Sequence, residues 1–109
     1  MSETKVYQKL KTLGVDVYPF VAPQSCSYPV ITYFVVSERK KQLLNAATYG
    51  EVKRFQVDVW SNSYKEAKEL KEEIVSLLVE LEAEDINIQD LYEDDTKLFR
   101  ELIQFYIKE

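Results

Sequence analysis

The chain has 109 residues, 46% hydrophobic and 30% charged, the proportions of an ordinary globular protein and enough for one domain with a real core. A net charge of −5 argues against a domain that holds nucleic acid mainly by its phosphates. The absence of His and the single Cys26 exclude imidazole acid–base chemistry, an internal disulfide and a cysteine zinc site.

In chain order, Ser2 can cap a first helix over residues 3–13, with Val6, Leu10 and Leu13 on one stripe and Gly14 as its stop. The start of the chain lacks a basic, then apolar, export signal, and no apolar run approaches the ~20 residues that span a bilayer. An intracellular chain without membrane contact is expected. Residues 15–20 form a short strand or an extended lead-in. Cys26, with no basic partner, reads as a passive thiol.

Tyr28-Pro29 leads into Val30–Val36, the most β-prone run, apolar on both faces and therefore central or doubly covered. Residues 37–50 read as a long connecting loop, or a loop with one helical turn at 41–47. Within it Arg39, Lys40 and Lys41 make the one basic cluster, read as solvated. Residues 51–60 alternate: Phe55, Val57 and Val59 point one way; Arg54, Gln56, Asp58 and Trp60 point the other. An antiparallel pairing with 30–36 is the simplest topology.

Ser63 and Glu66 have the spacing of a capping box for a helix over 64–82, whose buried stripe is Ala67, Leu70, Ile74, Leu77, Leu78 and Leu81. A short strand at 86–91, an acidic turn at 92–96 and a final strand at 98–107 follow. The last strand turns Arg100, Leu102, Gln104 and Tyr106 away from Phe99, Ile103, Phe105 and Ile107. The order α-β-β-β-α-β-β predicts an α+β fold, two helices on one face of a mostly antiparallel sheet of four to five strands.

That leaves a second sheet face with no core duty. Arg54, Gln56, Asp58, Trp60, Arg100, Leu102, Gln104 and Tyr106 lie there, with either Ile31, Tyr33 and Val35 or their neighbours; the candidate contacts among them are Arg54, Gln56, Asp58, Trp60, Arg100 and Tyr106. Mixed aromatic, Arg and Gln character suits a protein interface, and Arg39, Lys40 and Lys41 are added to that candidate surface. Two catalytic readings are weaker. The acids at 85, 90 and 93–95 lack the spacing of a Ca²⁺ loop. Glu51-Val52-Lys53 has the form used by Mg²⁺-dependent nucleases, but Asp16 is the only acid available to complete it.

Four segments in order, Tyr28–Tyr33, Arg54–Ser61, Ser63–Ala67 with Leu70, and Leu98–Phe105, resemble the tail completion (head–tail joining, tail terminator) proteins of long-tailed bacteriophages and prophages. The resemblance implies a structural virion protein without enzyme activity or cofactor. It would form a ring of six at the head-proximal end of the tail tube, in the virion after assembly in the host cytoplasm. Its implied partners are copies of itself, the tail tube protein and the head connector, with DNA passing only as cargo. A generic adaptor using the same sheet face is the alternative.

Overall fold

A computed structural model describes residues 2–42 and 49–108. Its elements are α1 (Ser2–Lys11), β1 (Asp16–Pro19), β2 (Val30–Gln42), β3 (Tyr49–Ser61), α2 (Tyr64–Glu80), β4 (Glu84–Glu93) and β5 (Leu98–Lys108). The five strands form one sheet in the order β1-β2-β3-β5-β4; β1 runs parallel to β2 and every other pair is antiparallel. The expected α+β architecture holds, with residues 16–19 as a true strand and residues 98–108 as the expected final strand.

The core lies between the helices and one sheet face. Val6 and Leu10 of α1 and Leu70, Ile74 and Leu78 of α2 meet Ile31, Phe55, Val57, Val59, Ile103 and Phe105. Phe55 and Phe105, register partners across β3 and β5, stack with centroids 5.4 Å apart. Ile31, Tyr33 and Val35 pair with Val59, Val57 and Phe55, so they belong to this inner side. The outer face therefore takes their neighbours Val30, Thr32 and Phe34. Phe34 is covered by Phe20, whose ring stacks on it at 5.8 Å, which explains an apolar pattern on both sides of β2.

Two local expectations are corrected. Residues 37–42 are not loop: β2 runs on to Gln42 and pairs with β3 as far as Tyr49, with a bulge between Val35 and Ser37. Polar side chains there concealed the strand: Ser37, Glu38, Arg39 and Lys40 are all exposed, so the stretch carries no alternation of apolar and polar residues. The helical turn expected at 41–47 falls mostly on residues outside those described; Lys41, which is described, is strand.

The capping box is also altered. Ser63 accepts the Glu66 amide at 3.3 Å as expected, but the Glu66 carboxylate does not return to the Ser63 amide. It accepts the Ser61 hydroxyl at 2.7 Å, and Ser61 accepts the Ser63 amide at 3.0 Å. The buried Ser61 hydroxyl relays the bond, tying the end of β3 to the start of α2.

Candidate functional site

The outer sheet face carries a connected row of polar side chains. Register puts Arg54 beside Tyr106, Gln56 beside Gln104, Asp58 beside Leu102, and Trp60 beside Arg100. Arg54 donates to Gln104 Oε1 at 2.6 Å, Gln104 donates to Gln56 Oε1 at 3.1 Å, and Gln56 donates to Asp58 Oδ2 at 3.0 Å. Asp58 Oδ1 accepts Arg100 Nε at 3.1 Å. The Arg100 guanidinium lies 4.6 Å over the Trp60 ring, whose Nε1 donates to Thr32 Oγ1 at 3.1 Å. At the other end Arg54 sits 5.8 Å over Tyr106.

Asp58 is only 2% exposed, and a buried carboxylate requires a paired cation; Arg100 supplies it and also reaches Glu93 at 3.5 Å. The Nε of Arg54 is buried without a hydrogen-bond partner among the described residues. Fixed donors, acceptors and rings of this kind present a pre-ordered surface that loses little side-chain freedom on binding.

At the Trp60 end the row opens into a groove of about 400 Å³. Its walls include Phe20, Val21, Tyr28 and Phe34, with Glu93 and Arg100 at the polar side. Phe20 and Val21 are 68% and 78% exposed, a sizeable apolar surface beside a polar one. At the other end Arg39 joins Arg54, Tyr106 and Lys108 around a second cleft closed by Glu84 and Asp85.

All six predicted sheet residues thus share one face, and Arg39 borders it. Lys40 is an exposed residue of β2, while the side chain of Lys41 lies outside those described. Gln104, central to the row, and Thr32, its anchor for Trp60, were not among the predicted contact residues. Alternation in β5 signalled the side on which Gln104 lies; only register shows that Gln56 faces it. The 20–22 wall had no periodic signal, because it is a loop folded back over the sheet.

The catalytic readings find no geometry. Asp16 is level with Val30 and Trp60, whereas Glu51 pairs with Lys40 nine residues along β3, about 30 Å away at ~3.3 Å per residue. Lys53 points inward and is 5% exposed, with Glu3 at 3.4 Å and Glu38 at 3.8 Å. Burial pulls its ammonium down, but these acids and Glu51 outweigh that effect and hold it above its ordinary value. Of the acids at 85–95, Asp90 is engaged by Lys68 at 2.8 Å and Glu93 by Arg100.

Among curated proteins none matches this sequence. A solved chain described as "Virion of native gene transfer agent (GTA) particle" shares the fold with a TM-score of 0.69 and 16% identity, covering 94% of this chain and 90% of that one. A family model described as "Tail completion protein gp17" matches residues 5–108, nearly the whole chain and all four segments that carried the resemblance. The chain belongs to the tail completion protein family, a family of structural virion proteins.

Proposed function

We propose that this chain closes into a ring on the head-proximal end of a phage tail tube, ends tube growth there and offers the surface on which the head connector docks. The family match over residues 5–108 carries this reading. The outer sheet face supports it: a pre-ordered row of Arg, Gln, Asp, Trp and Tyr, flanked by an apolar groove, has the composition of a protein interface. Capping then works by occlusion, since a ring seated on the tube end covers the surface on which the next tube ring would add. Residues 39–41, 54, 56, 58, 60, 100 and 106 are the contact residues of this proposal. DNA would pass through as cargo, and an acidic chain favours passage without retention. Electron microscopy of particles made without this protein should show overlong tails or tails detached from heads. Normal virions would overturn the proposal.

A further inference from the structure

The two sides of the sheet differ in a way that the outer face does not explain. On one side, β1 pairs with β2 only as far as Tyr33, so the edge of β2 from Phe34 to Gln42 has no strand beside it among the described residues. On the other side, β4 pairs inward with β5, and its outer edge from Glu84 to Glu93 is likewise unpaired. Each edge presents nine or ten residues of backbone donors and acceptors, the usual template for adding a strand.

The two edges are opposite in charge. Residues 37–42 carry Arg39, Lys40 and Lys41 against one acid, Glu38. Residues 84–95 carry six acids and no Lys or Arg. Ile88, Leu91 and Tyr92 add exposed apolar surface along β4. Part of its charge is already engaged: Glu84 by Lys108 at 3.1 Å, Asp90 by Lys68, and Glu93 by Arg100. Asp94 and Asp95, just past its end, are exposed and meet no cation among the described residues.

The two backbone edges cannot pair within one chain, because β3 and β5 stand between β2 and β4; only side chains approach, Arg39 sharing the outer cleft with Glu84 and Asp85. The tip of the β2 ribbon also outruns the sheet. β5 ends opposite Val52, so Lys40, Lys41 and Gln42 pair only with Glu51, Gly50 and Tyr49. A two-stranded ribbon is marginal in water and gains stability from a third strand.

We infer that the basic free edge of β2 in one copy pairs with the acidic free edge of β4 in a second copy, carrying the sheet from subunit to subunit. This deepens the ring reading and rests on it. The contact is heterologous, so repeated rotation closes it into a ring, and each copy spends one edge of each kind. The charge difference sets polarity: like edges repel, so β2-to-β2 and β4-to-β4 pairing are disfavoured.

The test uses two charge-reversed chains, Arg39→Glu with Lys40→Glu, and Asp94→Lys with Asp95→Lys, studied by sedimentation and cross-linking alone and on purified tail tubes. All four positions are exposed, and circular dichroism checks that both variants fold. Wild type should assemble in both arms or on tubes alone, and each variant should fail. A mixture of the two variants should regain assembly by alternation, because each β2 edge then meets a β4 edge of opposite charge in the other variant. The four-fold variant should regain assembly. Amide exchange in assembled wild type should slow at residues 34–42 and 84–93. Rings that tolerate both reversals, with exchange at those edges unchanged, would overturn this contact while leaving the ring intact. A wild-type chain that assembles neither alone nor on tubes would overturn the ring, and this contact with it.

Discussion

At the scale of single residues, the end of α2 carries an avoidable strain. Glu82 has a φ of +60, and its amide donates to Val79 O at 3.0 Å while the Ala83 amide donates to Leu78 O at 2.9 Å. This is the paired closure that glycine usually makes at a helix end, performed here by a residue with a Cβ. The left-handed conformation costs a side-chain-bearing residue about 1–2 kcal/mol, and glycine returns part of that gain through its freer unfolded state. Glu82→Gly should therefore stabilise the chain by about 0.5–1 kcal/mol. Urea denaturation with an unchanged slope would verify it, and a loss of stability would show that the Glu82 side chain matters more than its backbone.

At the scale of elements, β3 divides its labour by alternation. Phe55, Val57 and Val59 are fully buried against the helices, while Arg54, Gln56, Asp58 and Trp60 hold the outer row. Trp60→Glu removes the bond to Thr32 and the ring beneath Arg100, at about 1–2 kcal/mol. The variant should keep its far-UV circular dichroism and lose assembly on tail tubes. Loss of the fold instead would assign Trp60 to structure. The alternation of β3 and β5, and the 3.6-residue stripe of α2, were readable because each buries one face against an apolar partner. The β2 extension was not, because its stability comes from backbone pairing with β3 and its side chains stay polar. Nor was the row itself: that Gln104 meets Gln56 depends on register between strands more than forty residues apart.

At the scale of the whole molecule, one charged cluster links pH to stability. Glu101 of β5 is buried beside its register partner Asp90 of β4, with Lys68 at 3.6 Å and Lys71 of the same helix nearby. Burial, then the hydrogen bond and charge of Asp90, push the Glu101 carboxyl up to about 7 from its ordinary 4.5, and Lys68 and Lys71 offset only part of this. The hydrogen bond from Glu101 and that from Lys68 hold Asp90 below its ordinary range. A raised acid binds its proton better folded than unfolded. The contribution of Glu101 is therefore complete below its ordinary value and is lost as the pH rises through about 7. Melting temperature should fall between about pH 5 and pH 8 in wild type, and the fall should be much reduced in Glu101→Gln, which keeps a donor toward Asp90. An identical slope in the variant would place the titration elsewhere.

The outer row also bears on how this surface can change over generations. Gln56 accepts from Gln104 and donates to Asp58, and Asp58 in turn holds Arg100. A lone replacement of Arg100 strands a buried acid, and a lone replacement of Asp58 leaves Arg100 only the more distant Glu93. Drift at positions 58 and 100 should then be concerted, with the pair inherited or exchanged as a unit, whereas exposed Val21 is free to vary singly with whatever it touches.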